Sequence, residues 1–172
     1  MIKVIGVHTN TTGGSSVKGS SIGDGHSWLS LHYESGRYDT IGLWVTDGKM
    51  TQIKRFIPLN DFAAAMVGEE VTYEVVLGEE RRKNYQALFS RFYGMNDARR
   101  QTAMGLLIQR SAWRYEYTCA TWVTEKMKQI FGQSFATSEL FGLTNTPRAL
   151  GNVLHALEVR NPTSLKQPTF PA

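Results

Sequence analysis

The sequence predicts one α+β domain in which strands come first and helices follow. In the first 80 residues, short runs rich in β-branched and aromatic residues alternate with Gly, Asp and Ser, a pattern typical of strands and turns. After Glu79 the apolar residues recur with a helical period. Strands and helices that are segregated along a chain are typical of an antiparallel sheet with helices packed against it.

Several segments of the first half have the pattern of strands. The loop Thr9–Ser21, rich in Thr, Gly and Ser, separates the first two strands, and Glu34–Arg37 predicts a hairpin between the second and third. One short helix is expected at Asp61–Val67. The predicted strands are residues 2–8, Ser27–Tyr33, Tyr38–Thr46, Met50–Leu59 and Val71–Leu77.

The second half is predicted to be helical. A first helix follows Glu79, a second covers Thr102–Arg110, a third begins at Cys119, and Pro147 opens a last helix through Leu157. The apolar stripe of the first of these helices consists of Tyr85, Leu88, Phe89 and Phe92. We expect residues 1–160 to form a single domain and residues 161–172, with three prolines, to form an extended tail.

Composition and charge exclude several classes of protein. With 41% hydrophobic and 20% charged residues among 172, the chain is neither disordered nor fibrous. The net charge is +4, but the basic residues of Glu79–Lys83 and Asp97–Arg100 stand beside acidic ones, which indicates solvated helix faces and no nucleic-acid partner. A single cysteine excludes an internal disulfide, and the His and Cys spacing favours no metal; no cofactor is expected.

The apolar segments predict where the protein is made. The apolar run at the N-terminus is too short for a signal peptide, and no segment has the length of a membrane span. We therefore expect synthesis in the cytoplasm without a signal peptide and no stable membrane anchor. Any export must use a route that reads no cleaved signal.

Cys119 is the strongest candidate for a reactive group. The apolar positions Cys119, Trp122 and Val123 begin a helical stripe, Thr118 is the expected N-cap, and Gly132 is the expected stop. A thiol in the first helical turn lies near unpaired N–H groups and the positive end of the helix dipole, which favour the thiolate. The alternative is an inert buried cysteine, since free Cys is commonly a small core hydrophobe.

A thiol nucleophile needs a base, and four histidines are available. His26 is preferred because it opens the second strand, which would hold its imidazole rigidly near the edge of the sheet. His32 is the second choice, next to the hairpin turn. His8, at a strand end, and His155, late in a helix, are expected to have surface or helix-dipole roles.

The group that orients the base should project from the neighbouring strand. A two-residue turn at Ser35-Gly36 would pair His32 with Asp39 and place Asp39 on the face of His26. A one-residue change in the turn would bring Thr40 there instead. For the oxyanion we expect the backbone N–H of Cys119, with the Tyr117 side chain or Thr40 as further contacts of substrate.

These motifs together resemble a known group of enzymes. The order of His first and Cys later resembles the circularly permuted papain-like cysteine hydrolases, related to the NlpC/P60 peptidases and the lecithin:retinol acyltransferase-like proteins. It is also similar to small bacterial amidase effectors of secretion systems. The likeness covers residues 20–157. In the parent families the third polar residue of the site is often His, and no His stands on the strand Tyr38–Thr46 here. The motifs are Gly25-His26-Ser27-Trp28-Leu29, Ile41-Gly42-Leu43-Trp44, Tyr117-Thr118-Cys119-Ala120-Thr121-Trp122-Val123 and Thr146-Pro147-Arg148-Ala149-Leu150.

The resemblance implies an antiparallel sheet packed against a Cys-bearing helix and a cysteine amidase or peptidase. Its expected substrate is the peptide stem of bacterial peptidoglycan. The expected setting is an antibacterial toxin of a contact-dependent (type VI) secretion system, exported to the periplasm of a target cell, with an immunity protein and a secretion carrier as partners. Two alternatives stay open: a lipid or protein acyltransferase or thioesterase, and a binding domain without catalysis.

Overall fold

The computed structural model describes residues 1–10, 25–45, 73–82, 85–109, 111, 118–139, 144–166 and 168. The predicted strand Met50–Leu59 and the predicted helix Asp61–Val67 lie outside these residues. The elements in chain order are β1 (Ile2–Thr9), β2 (Ser27–Tyr33), β3 (Tyr38–Val45), β4 (Tyr73–Leu77), α1 (Glu79–Arg82), β5 (Phe89–Gly94), α2 (Asp97–Leu107), α3 (Cys119–Phe131), β6 (Ser138–Glu139), β7 (Thr144–Asn145) and α4 (Pro147–Arg160).

Five of the strands form one antiparallel sheet. Its order is β4-β3-β2-β1-β5, and each strand runs antiparallel to its neighbours. The β2–β3 hairpin is closed by the Tyr33 N–H, which donates to the Arg37 carbonyl at 2.8 Å, and by the Gly36 N–H, which donates to the Tyr33 carbonyl at 3.0 Å. The predicted α+β class with an antiparallel sheet is therefore confirmed.

One face of the sheet is covered by helices. Helix α3 packs on β2 and β3, α4 packs on β5 and β1, and α2 lies against α3. Because side chains alternate along a strand, every second residue of the sheet enters this core. The core residues are Ile5, Val7, Leu29, Leu31, Ile41, Leu43, Tyr93, Met95, Ala103, Leu107, Trp122, Val123, Met127, Ile130, Leu150 and Leu154.

The opposite face, called here the outer face, carries polar and aromatic side chains. His8, Trp28, Ser30 and Thr40 lie on it, in line with their alternation against the core residues, and all four are buried. A sheet face that is both polar and buried must satisfy its hydrogen-bonding groups internally or with a bound molecule.

The predicted helix through Tyr85, Leu88, Phe89 and Phe92 is wrong. Of the residues described between 79 and 94, only Glu79–Arg82 are helical, and Phe89–Gly94 forms strand β5 along the free edge of β1. A short aromatic run fits a helical stripe or a strand equally well, and pairing with β1 decided the outcome. Strand β5 therefore interrupts the predicted order of strands first and helices after.

The predicted boundaries of the cysteine helix are confirmed. The Thr118 side chain accepts a hydrogen bond from the Thr121 N–H at 3.2 Å, as an N-cap does. Gly132 ends the helix in the left-handed conformation, with φ of 70°. Pro147 begins α4 after the Thr146 cap, also as predicted, and the helix continues to Arg160.

The residues after α4 lie against β5. The Phe92 N–H donates to Thr163 Oγ1 at 2.9 Å, and Arg91 donates to the carbonyl of Asn161 at 2.8 Å. None of the helices in the described part of the chain is long and apolar enough to cross a membrane.

The two glycines at Gly132 and Gly105 give opposite predictions for stability. Gly132→Ala should lower the free energy of unfolding by about 1 kcal/mol, because an L-residue is strained in the left-handed region. Gly105→Ala should raise it by about 0.5 kcal/mol, because Gly105 is helical and a Cβ there meets open space. Urea unfolding of both variants measures the difference, and equal effects would contradict the cap assignment.

Candidate active site

His26 is fixed just before β2. Its backbone N–H donates to Asn10 Oδ1 at 2.6 Å, and its carbonyl accepts from the Asn10 N–H at 3.2 Å. The imidazole stacks on Trp28 with 5.7 Å between ring centroids, and its centroid lies 4.0 Å from that of the Trp44 ring. The residue is 7% exposed, so the ring has little freedom to turn.

Cys119 is the first residue of α3 and is half-buried. The His26 side chain and the backbone N–H groups of Ser27 and Ala120 lower the pKa of its thiol through hydrogen bonding. The helix thus reaches His26 past the start of β2. The helix end is held by Thr118, whose hydroxyl donates to the carbonyl of Asn145 at 2.7 Å.

Glu80 completes a chain of three groups. His26 Nε2 donates to Glu80 Oε1 at 2.9 Å. Trp44 Nε1 donates to the same Glu80 oxygen at 2.6 Å. The Glu80 side chain is 1% exposed, so the pair with His26 is shielded from solvent.

Gly42 makes this arrangement sterically possible. A Cβ on Gly42 would overlap Glu80 Oε1 and lie 3.1 Å from His26 Nε2. The carboxylate and the imidazole therefore meet over the bare backbone of β3, where only glycine leaves enough room.

The electrostatics favour a thiolate and an imidazolium. Burial alone would lower the pKa of His26, but hydrogen bonds to Cys119 and Glu80, with the charges of both, raise it to about 9. Burial raises the pKa of Cys119, yet the hydrogen bond and charge of His26 and the N–H groups of Ser27 and Ala120 bring it below its ordinary value. The pKa of Glu80, which burial would raise, is lowered by His26 and by the Trp44 N–H.

Tyr85 borders this chain of groups. Its ring stands edge-on to His26 and Trp44, at 5.9 and 5.3 Å between centroids. Burial raises the pKa of Tyr85, and the negative charges of Cys119 and Glu80 add to the effect. The phenol of Tyr85 therefore stays neutral in this site.

Asp39 does not occupy its predicted position. The hairpin pairs His32 with Tyr38 and Leu31 with Asp39, so Asp39 lies on the face opposite Trp28 and His26. Its carboxylate accepts the Thr40 N–H at 2.8 Å. The predicted role in orienting His26 rested on a register that is wrong by one residue, and Glu80 holds that place.

The register brings Thr40 to the outer face, as the alternative turn required. No hydrogen bond joins Thr40 to His26 among the described residues, and its hydroxyl has no partner there. Tyr117 lies outside the described residues, so its oxyanion role stays a prediction.

The other histidines are engaged elsewhere. His8 and His32 are both joined to Ser30 on the outer face, and the ring of His155 packs against Phe89 with 4.8 Å between centroids. Of the four histidines, His26 is the one that the structure brings to Cys119. Its role as the base stays a prediction.

Sequence reasoning missed Glu80, Trp44 and Tyr85. Glu80 stands in a run of charges, which predicted a solvated helix face; that prediction is wrong for Glu80. The predicted strand Val71–Leu77 was the signal that could have identified Glu80. When this strand pairs with β3, the residues that follow it lie close to His26. Trp44 lies in the motif Ile41-Gly42-Leu43-Trp44, from which the sequence predicted no role for its side chain.

Among the described residues, no three His, Cys, Asp or Glu side chains gather in a way that would hold a metal ion. No known protein family, curated protein or solved structure matches this chain.

Glu80 and Asp39 form a matched pair for testing the site. In Glu80→Gln the imidazolium loses its carboxylate, so the rate of iodoacetamide alkylation of Cys119 at pH 7 should fall about tenfold, the effect of one pKa unit. The rate well above pH 9 should be unchanged, because the thiol then ionises without help. Asp39→Asn should follow the wild-type pH profile. A slow Asp39→Asn with a normal Glu80→Gln would contradict the assignment.

Proposed function

We propose that this chain is a thiol-dependent amide hydrolase in which Cys119 is the nucleophile, His26 the acid and base, and Glu80 the residue that orients His26. The observation that carries the proposal is the buried chain Cys119–His26–Glu80 at a helix N-terminus. A nucleophile, a base and a group that holds the base are the parts that acyl transfer by a thiol requires.

The reaction follows from these groups. The Cys119 thiolate attacks the carbonyl carbon, and a C–S bond forms. The proton on His26 passes to the amide nitrogen as the C–N bond breaks, which leaves an acyl thioester and a free amine. Neutral His26 then takes a proton from water, the hydroxide oxygen attacks the thioester, and the C–S bond breaks. The products are the carboxylic acid and the original thiolate and imidazolium.

The first turn of α3 provides the electrostatics for the oxyanion. We assign the backbone N–H of Cys119 as an oxyanion donor, since unpaired N–H groups and the helix dipole meet at this end. The Thr118 side chain accepts a hydrogen bond from the N–H of Thr121. In this proposal the cap does not use the N–H of Cys119, which can donate to the substrate.

The fold proposal is a permuted papain-like domain. It is supported by the antiparallel sheet, the packing of α3 on β2 and β3, and the order of His before Cys. The third group is then a glutamate from α1, where the sequence had predicted Asp39 on β3.

For the substrate we propose the peptide stem of bacterial peptidoglycan. The net charge of +4 supports it, because a basic protein is attracted to an anionic wall. In this proposal the protein acts in the periplasm of a target cell, with an immunity protein and a secretion carrier as partners.

Replacement of the sulfur tests the thiol chemistry. Cys119→Ala should reduce turnover at least a hundredfold, because loss of a nucleophile typically costs more than that. The volume change at a half-buried position is small, so the thermal midpoint should change little. Thr102→Ala, at an exposed position of α2, is the control for the substitution itself. Turnover above a hundredth of wild type would refute the nucleophile.

The substrate proposal is tested on the wall itself. Periplasmic expression in a susceptible bacterium should cause lysis that depends on Cys119, and mass analysis of digested wall should show shortened stem peptides. Purified stem peptides with the pure enzyme give the direct measurement. Toxicity confined to the cytoplasm with unaltered wall peptides would refute the wall substrate and favour an intracellular acyl or peptide substrate.

A further inference from the structure

Two asparagines hold the two main groups of the candidate site from their flanks. Asn10, directly after β1, pairs with His26: its Oδ1 accepts the His26 N–H at 2.6 Å, and its own N–H donates to the His26 carbonyl at 3.2 Å. Asn145, the last residue of β7, accepts the hydroxyl of Thr118 on its carbonyl at 2.7 Å. Because Thr118 directly precedes Cys119, both residues of the pair are anchored by an asparagine.

The side chain of Asn145 also bonds to α3. Its Nδ2 donates to Thr121 Oγ1 at 3.3 Å, and its Oδ1 accepts the hydroxyl of Thr137 at 2.5 Å. Thr121 is in turn bonded to the cap, since its N–H donates to Thr118 Oγ1 at 3.2 Å. Thr137 directly precedes β6 and is 1% exposed. The first turn of α3 is therefore bonded, through one side chain, to the pair of strands β6 and β7.

The two asparagines are joined to each other through Thr9 and Pro147. The Thr9 hydroxyl donates to the Pro147 carbonyl at 3.0 Å, and Thr9 is fully buried. Thr9 is the neighbour of Asn10 in the chain, and Pro147 begins α4 two residues after Asn145. A continuous series of covalent and hydrogen bonds, called here the Asn10–Asn145 link, therefore runs from the start of β2 to the start of α3.

Apolar packing alone does not fix this alignment. Helix α3 packs on β2 and β3 through buried side chains that include Trp122, Val123 and Met127. Burial of apolar surface is non-directional, whereas hydrogen bonds restrict both distance and angle. Reacting groups must be held within about 0.5 Å of their productive geometry. A small slide or rotation of α3 on the sheet would therefore separate Cys119 from His26.

We propose that Asn145 is a positioning residue, which holds the first turn of α3 so that Cys119 meets His26, and that Thr9 and Asn10 complete the link. Asn145 acts through Thr118 and Thr121. The inference rests on the proposed function, in which Cys119 and His26 work as a pair.

A loop-stabilising role for the same hydrogen bonds predicts a different behaviour. In that case loss of the Asn145 side chain would lower the thermal midpoint, and the folded protein would keep the titration of its thiol and its kcat. A positioning role predicts that both change in the folded protein. Hydrogen bonding and the charge of His26 hold the pKa of Cys119 below its ordinary value, and this effect weakens when the two groups are misaligned.

The test is the pH profile of iodoacetamide alkylation of Cys119 in Asn145→Ala, at a temperature well below its thermal midpoint. We expect the midpoint of the profile to rise by about one pH unit, so that alkylation below the midpoint is about tenfold slower. The rate at high pH should equal that of wild type, because the thiol is then fully ionised in both proteins. With a purified stem peptide, kcat should fall about tenfold and KM should stay the same.

Thr163→Ala is the control for lost stability. Thr163 accepts the Phe92 N–H at 2.9 Å and donates to Glu158 at 2.8 Å, on the β5 side of the sheet. Its replacement should lower the thermal midpoint while the alkylation profile and kcat stay those of wild type. An equal change of the profile in Thr163→Ala and Asn145→Ala would overturn the positioning role.

Thr9→Val tests the link at a distance from α3. It removes the hydroxyl that donates to Pro147, keeps the shape of the side chain and leaves the bonds of Asn145 in place. It should raise the midpoint of the alkylation profile in the same direction as Asn145→Ala. If Asn145→Ala does not fold, Thr121→Val, which removes the acceptor of Asn145 Nδ2, should show the same shift.

The alkylation measurement needs no substrate, so it is separate from the test of the hydrolase. A shifted profile in Asn145→Ala, in a protein whose wild type cleaves no stem peptide, would refute the hydrolase and support the positioning role. An unchanged profile in Asn145→Ala or in Thr9→Val would overturn the positioning role, whatever the wild type cleaves.

Discussion

The arrangement at the candidate site depends on one buried ion pair, His26 with Glu80. A charge removed from water must be paired and hydrogen bonded, and breaking such a pair typically costs about 3–5 kcal/mol. Glu80 meets this condition through His26 and the Trp44 N–H, and His26 meets it through Glu80 and the Cys119 sulfur. The pair in turn requires β4 to lie beside β3, because that pairing carries α1 over Gly42. The order of strands in the sheet therefore determines whether Glu80 can reach His26.

The same pair explains why the thiol is activated at this end of α3. A helix N-terminus alone offers a partial positive charge, which is screened where water reaches it. Here the Cys119 sulfur also meets an imidazolium whose proton is held by a carboxylate shielded from solvent. Because the carboxylate stabilises the proton on His26, the imidazolium persists beside the sulfur and holds the pKa of Cys119 below its ordinary value. The Cys119 thiolate is thus stabilised weakly by the helix N-terminus and more strongly by the paired charge of His26.

The sequence predicted the local features of this molecule and missed those that depend on register. The caps of α3 at Thr118 and Gly132 were predictable because each depends on a few neighbouring residues. The residue that orients His26 was not predictable in this way, because the choice between Asp39 and Thr40 depended on a shift of one residue in the hairpin. Glu80 was further out of reach: its neighbours Arg81 and Arg82 are exposed while Glu80 is buried, a difference that the β3–β4 pairing decides.

Buried polar residues, which are unusual in a protein interior, are concentrated on the outer face of the sheet. A sheet face that is buried usually consists of apolar residues, yet the outer face buries His8, Ser30, Thr40 and Glu80, and leaves oxygens on two of them unpaired. Proteins accept such local costs mainly where a ligand or a reaction requires the groups. Glu80 also pairs with His26, so the buried polar groups of the outer face adjoin the candidate active site.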